Sequence, residues 1–368
     1  LFRKFPSGFP ICSVINVQNQ HMKQVRIKDI AQKANVSIGT VDRVLHNRGE
    51  VAEKTREKVL TIANEMNYQP NIVAQALTTR KTYKISVLIP RGGNDNIFWL
   101  DHPKGIEKAV HELQPFSVTI DYRLFELHNE KEFQQRTEEI LNNLPDGVIL
   151  APILKKETIQ FCEKLDNHKI PYVFIDTFID NTKCISFIGE DAFQGGRVAA
   201  SLIDFGVSPE KDILIVNLAK DLENTHHLNR RNQGFLSYFL DTGKNNGMKI
   251  TVEIPVTDQK VVDERMDQII KQNPNIGAIL VSSAKTHVIA RYIEKRNFET
   301  ILIGYEITRK NIDYMKRGII HFLIGQKPME QSEKAVKRLF EYLTSHNVAM
   351  KHEFQPVEII NIETLVTY

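Results

Sequence analysis

Apolar positions along this chain follow two rhythms. From Ile27 to Met66 they recur at helical spacing. Ile27, Ile30, Ala31 and Ala34 mark one face, and Asn35-Val36-Ser37 interrupts it. Ser37 suits the N-cap of a second helix, with Val36 and Val41 placed to staple across it. Val41, Val44 and Leu45 continue the apolar face. His46-Asn47-Arg48-Gly49 reads as a loop, and a third helix turns Val59, Ile62, Ala63 and Met66 inward. Pro70 ends the pattern. Residues 71–78 could form one more helix, too short to hold alone in water. Two short helices about a tight turn over 27–46 make a helix-turn-helix, whose second helix can enter a DNA major groove. The same spacing fits a plain three-helix bundle.

From Tyr83 the rhythm changes. Short apolar runs, predicted as strands, fall at 85–89, 117–122, 147–150, 172–175, 185–188, 213–217, 249–254, 278–281, 300–303 and 321–324. Amphipathic stretches at 102–113, 130–142, 193–205, 261–271 and 286–295 lie between them. That alternation predicts α/β units on mainly parallel sheets, and the length allows two such domains. Open parallel sheets bind ligands at the carboxyl ends of their strands.

The 368 residues exceed one compact core, and 42% hydrophobic with 25% charged residues is ordinary for a globular chain. Charge is unevenly spread. Met22–Thr82 holds eleven Lys/Arg against six Asp/Glu, and residues 1–21 add Arg3 and Lys4; with a total of +3, the remainder carries −4. A basic head on an acidic body fits nucleic-acid binding. Cys12, Cys162 and Cys184 are odd in number and widely spaced, so neither a disulfide framework nor a zinc site is expected. No phosphate-binding loop, dinucleotide fingerprint, metalloprotease histidine pair or serine elbow occurs. The expectation is therefore no enzyme, no metal and no cofactor. Residues 1–24 read as a leader with a poor signal-peptide core, Met22 being the natural start, and no apolar run is long enough to span a bilayer. A cytoplasmic protein is expected.

Specific residues narrow the reading of the head. Asp29-Ile30-Ala31, Ala34, Val36-Ser37, Thr40-Val41, Arg43-Val44, Lys54-Thr55-Arg56, Asn67-Tyr68, Pro70-Asn71 and Val73-Ala74 resemble the DNA-binding head of the LacI/GalR family of bacterial regulators. The resemblance implies a multidomain chain: an all-α helix-turn-helix domain over 25–69, a hinge helix and linker over 70–82, and a periplasmic-binding-protein-like sensor of two α/β lobes over 83–368. It places base reading at Ile38, Gly39 and Arg43, with Asp42 where the family carries a backbone-contacting serine. Arg43 can pair with a guanine edge, Ile38 can touch a thymine methyl, and Gly39 has nothing to read with. Thr40 and Arg56 are implied phosphate contacts. Asn71, Ala74 and Leu77 fall in the implied hinge, where Leu77 either wedges into the central base step or is a core leucine of a short helix. Such a hinge implies a homodimer on a near-palindromic double-stranded operator.

In the sensor, resemblance to the family suggests a small-molecule effector, a sugar or sugar derivative, at the cleft. Phe98 and Trp99 follow the first strand and could stack on a sugar, or Trp99 could be a core aromatic. Asp176 ends a strand, as a ligand contact or a turn former. Arg231 lies in Arg230-Arg231-Asn232-Gln233-Gly234-Phe235, similar to a helix start of the family. Glu306 stands where most relatives have aspartate, and Gln326 follows the 321–324 run. Ser283-Ala284, then Lys285, replaces the common Asn-Asp; a hydroxyl clamp is lost and a cation gained, which weakens a neutral-sugar reading and admits a sugar acid or another polar metabolite. Asp191 is expected to cap the 193–205 helix, with Gly195-Gly196 allowing close packing. The implied function is an effector-controlled DNA-binding repressor. A secreted-type solute-binding receptor and a ligand-independent dimeric regulator are the alternatives.

Overall fold

The structure, a computed structural model, describes residues 25–45, 49–66, 81–93, 97–127, 129–219, 226–244, 246–255, 258–345 and 352–367. The chain divides into two compact units between Gln75 and Ala76.

The first unit holds α1 (Ile27–Ala34), α2 (Ile38–Leu45) and α3 (Glu53–Glu65). Asp29 accepts from the Arg26 amide at 2.8 Å, which anchors the first turn of α1. Asn35 ends α1 in the left-handed conformation, φ 56°, which asparagine tolerates well. Ser37 caps α2 as expected: its Oγ accepts from the Thr40 amide at 3.1 Å. Val36 and Val41 meet in the same small core, with Ile30, Ala31, Ala34, Val44, Val59, Ile62 and Ala63. The implied hinge residues Asn71, Ala74 and Leu77, and the loop residues 46–48, lie outside the described residues.

The second unit contains two six-stranded sheets. Sheet one runs β11-β5-β4-β3-β1-β2, from β1 (Tyr83–Pro90), β2 (Val118–Phe125), β3 (Gly147–Leu150), β4 (Tyr172–Asp176), β5 (Ser186–Glu190) and β11 (His352–Gln355). Sheet two runs β12-β10-β9-β8-β6-β7, from β6 (Asp212–Ala219), β7 (Lys249–Pro255), β8 (Ile276–Val281), β9 (Ile301–Tyr305), β10 (Phe322–Gly325) and β12 (Glu358–Ile360). The pairings are parallel except β10 with β12.

Both faces of each sheet are covered, which is why the strands read as apolar runs rather than alternations. On sheet one, α4 (His102–Glu112) and α12 (Pro328–Ser345) cover one face. The other is covered by α5 (Glu130–Asn142) and α6 (Lys155–Asn167). On sheet two, α7 (Ala192–Gly206) and α8 (His226–Thr242) cover one face. The other takes α9 (Gln259–Gln272), α10 (Thr286–Arg296) and α11 (Arg309–Lys316). The chain crosses between the lobes after β5, after β10 and between β11 and β12. Asp191 caps α7 by accepting from the Gln194 amide at 3.1 Å. Gly196 lets α7 approach α8 until a side chain there would strike the Arg231 carbonyl.

Two features differ from the sequence reading. Arg231 sits in the second turn of α8, which starts at His226, so it is not at a helix start. The apolar pattern also did not predict β11 and β12. At four and three residues, with Glu353 and Glu358 within them, they are edge strands whose pairing is decided by the neighbouring strand.

Candidate functional site

On the head, α2 buries Val41 and Val44 and turns the opposite stripe outward. Ile38 is 57% exposed, and Gly39 and Arg43 are exposed beside it. Arg43 curls back so that Nε donates to the Gly39 carbonyl at 3.2 Å. A side chain at Gly39 would meet nothing nearer than the Ser37 Oγ at 3.9 Å, so the glycine leaves a flat patch beside the arginine. Asp42 is half-buried on the same turn, and Thr40 is committed to Ser37, their hydroxyls 2.9 Å apart. Arg56 is half-buried in the second turn of α3.

In the sensor, the carboxyl ends of strands from both lobes meet in one polar cluster. Asp176 ends β4 and Glu190 ends β5, in lobe one; Asn217 lies near the end of β6, Ser282 follows β8, Tyr305 ends β9, and Glu306 and Gln326 follow β9 and β10, in lobe two. Arg231, from α8, is the hub. Its Nη1 donates to the Ser282 carbonyl at 2.7 Å, its Nη2 pairs with Glu190 Oε2 at 2.5 Å, and its guanidinium lies 3.7 Å from the Tyr305 ring centre. Gln326 donates to Glu306 Oε1. Gln331, at the start of α12, accepts from the Asp176 amide at 3.0 Å and donates to the Gln326 carbonyl at 2.8 Å. Asp176, Arg231, Glu306 and Gln326 are thus brought together as the sequence suggested.

Backbone strain marks the same place. Asp176 and Glu306 both have left-handed φ, 66° and 70°. The Glu306 corner is held by buried Asn311, whose Nδ2 donates to the carbonyls of Tyr305, Glu306 and Ala284 at 3.0, 2.9 and 3.1 Å. On the lobe-two side, Asn217 Oδ1 accepts from Asn232 at 3.1 Å and from the Ser282 hydroxyl at 2.5 Å.

Burial shifts the acids. It pushes Asp176 up to about 6, against the Thr177 hydroxyl bond and the charge of Arg231. It pushes Glu306 up to about 8, again against Arg231. Burial also raises Glu190 despite its ion pair, while for Arg231 the desolvation is outweighed by Glu190. Several buried polar atoms in this cluster meet no partner among the described residues: Glu190 Oε1, Arg231 Nε, Asn232 Oδ1, Ser283 Oγ and Tyr305 Oη. Each such atom costs about 1–3 kcal/mol where nothing fills it.

The aromatic pair sits nearby in lobe one. Trp99 is 5% exposed, belongs to the apolar core and stacks on buried His102 with centroids 4.8 Å apart. Phe98 is half-buried, with its ring against Trp99 and His102. Of the two, Phe98 retains more ring surface for a ligand. His102 reaches Ser332 Oγ at 2.5 Å, next to Gln331, and burial depresses it to about 3.

The sequence reading missed Glu190, Tyr305, Asn217, Asn311 and Gln331. A charged residue closing a fully buried strand, as Glu190 does, was the available signal. Asn311 and Gln331 sit in helices and act through contacts remote in sequence.

Comparison with known proteins agrees with this architecture. Residues 85–347 match the periplasmic binding protein domain, and residues 26–71 match the lacI family of bacterial regulatory proteins. The chain belongs to the periplasmic binding protein domain family, and its head carries a helix-turn-helix domain of the lacI type. It is similar to the HTH-type transcriptional regulator RegA of Clostridium saccharobutylicum, 32% identical over 54% of this chain and 56% of that one. It is also similar to the ribose operon repressor of Bacillus subtilis (strain 168), 29% identical over 51% and 53%. The chain thus spans about half the length of these relatives. GanP, a glucose-galactose binding protein from Geobacillus stearothermophilus, shares the sensor fold at 22% identity and a TM-score of 0.68, covering 77% of this chain and 99% of its own. Among the described residues, no helix is long and apolar enough to cross a membrane.

Proposed function

We propose that this protein is a cytoplasmic transcription repressor that binds DNA through its helix-turn-helix head and whose operator affinity is set by a small polyhydroxylated ligand, a sugar or sugar derivative, in the sensor cleft. One observation carries the ligand half: unpartnered, buried polar atoms collect at the strand ends of both lobes. A bound ligand would satisfy them and would favour one arrangement of the lobes over another, which is the thermodynamic requirement for control. Asp176, Glu190 and Glu306 all interact with the charge of Arg231, three acids against that guanidinium, so hydroxyl donors suit the site better than an anion. This moves the reading away from a sugar acid. The name of the ribose operon repressor points the same way.

For the head, we read Arg43 as the main polar base contact, with Ile38 and flat Gly39 beside it and Thr40 and Arg56 nearer the phosphates; Asp42, which phosphates would repel, is left to accept from a cytosine amino group or to pair with Arg43. Asn71, Ala74 and Leu77 would act in the minor groove of a near-palindromic site bound by a homodimer. Sequencing DNA captured with the protein from cells should return such a site. Arg43→Ala should lose about 1–3 kcal/mol of specific binding and relax the preference at one base pair per half-site. A uniform loss over all sequences would refute the base-reading role. A thermal-shift screen of sugars tests the sensor: a Tm that no sugar raises would count against the effector reading.

A further inference from the structure

Glu190 uses only half of its carboxylate on Arg231. Oε2 is paired, while Oε1 is buried and meets no partner among the described residues. Tyr305 is fully buried, and its hydroxyl likewise meets none. Both atoms lie over Gly195. A first side-chain carbon there would run into Glu190 Oε1 and lie 3.5 Å from Tyr305 Oη. The missing side chain therefore makes room for the Glu190 carboxylate, and the Tyr305 hydroxyl lies against the same point.

A third group stands beside Glu190 in the sheet. Gln355 ends β11 and is the register partner of Glu190 on β5. Strand alternation puts Glu190 on the face of Ile188, which packs with Ala335 and Val336 of α12. It puts Gln355 on the face of Glu353, whose carboxylate is held by Lys334 and Arg338 of α12. The two side chains thus leave their strands on the same face. Gln355 is 4% exposed, and neither atom of its amide has a partner among the described residues.

We propose that Glu190, Tyr305 and Gln355, over Gly195, form a niche for one hydroxyl group of the effector, which gives its proton to Glu190 Oε1 and accepts from Tyr305 Oη or the Gln355 amide. The donor and acceptor inventory selects this group. An apolar substituent leaves all three unsatisfied, and a carboxylate faces Glu190. The niche rests on the effector reading above and extends it to the third chain crossing.

The test uses the full chain, thermal shift and calorimetric titration with D-ribose, D-arabinose and D-galactose, and the monodeoxy forms of whichever sugar binds. Tyr305→Phe and Gln355→Met each remove a group that has no partner among the described residues, so both variants should melt no lower than wild type without ligand. Each should bind the sugar roughly tenfold more weakly. One deoxy analogue should lose roughly tenfold against wild type and nothing further against Tyr305→Phe, the coupling that a shared hydrogen bond requires. Wild-type affinity in both variants, or a lower ligand-free Tm with unchanged affinity, would overturn the niche while leaving the effector reading in place. No shift of wild type by any of the sugars would sink the effector reading and the niche with it.

Discussion

Replacing Glu306 by glutamine tests the electrostatics of the cleft most directly. The glutamine keeps an acceptor for Gln326 and the same shape, and removes only the titration. Burial raises the Glu306 carboxyl from 4.5 to about 8. In the unfolded chain it ionises near its ordinary value, so between these limits the folded state binds the extra proton. Stability from this group is complete below about pH 4.5 and is lost as pH rises through about 8. A single such group sets a slope of about 1.4 kcal/mol per pH unit. Sharing the cluster with Glu190 and Asp176 reduces that, so a loss on the order of 1–2 kcal/mol from pH 6 to pH 8 is expected. Asp176, raised from 3.8 to about 6, acts in the same sense over the lower window. His102, depressed to about 3, acts in the opposite sense as its unfolded form deprotonates near 6.5. Comparison of the two proteins cancels the His102 contribution, and the Asp176 contribution acts in the same sense in both. Urea unfolding of wild type and Glu306→Gln at pH 6, 7 and 8 is the assay, and the variant should show the smaller fall. Identical slopes, or a variant that loses more than wild type as pH rises, would refute the reasoning.

Two further outcomes follow from contacts described above. Arg231→Met strands the Glu190 carboxylate without its cation and should cost about 3–5 kcal/mol in urea unfolding; adding Glu190→Gln should recover most of that, and a double variant as unstable as the single would exclude a charge-based explanation. Ser37→Ala removes the cap of α2 and should cost the head about 1 kcal/mol, seen as roughly fivefold faster amide exchange in α2 with exchange in the sensor unchanged.

The head was legible almost residue by residue. Its signals are local: Ser37 sits three residues before the amide it caps, and the inward positions of three helices are set by spacing. The strands of the sensor were legible for a related reason, since burial on both faces leaves continuous apolar runs. The cleft was only half legible. Asp176, Arg231, Glu306 and Gln326 carry side chains whose chemistry suits a ligand, and they do converge. Trp99 suits a stacking ring equally well by type, but His102 covers one of its faces, and no local pattern encodes that. Asn311 and Gln331 hold the two strained corners from helices that begin after the strands they support. Gln355 lies in a strand whose existence depends on β5, more than 150 residues earlier.

The order of the strands also sets a timetable. Sheet two has β6 through β10 in one continuous stretch, 212–325, whereas sheet one waits for β11, which pairs with β5 across the whole of lobe two. During synthesis the second lobe can therefore assemble its five-stranded body before the first lobe can close its edge. Contacts of such long sequence separation slow folding, because the loop must be closed before it is rewarded. A chain stopped before His352 would leave the β5 edge and its Glu190 uncovered in every molecule. The last strand of lobe one is thus a checkpoint: the polar cluster around Glu190 is completed only in chains that have been made through Gln355.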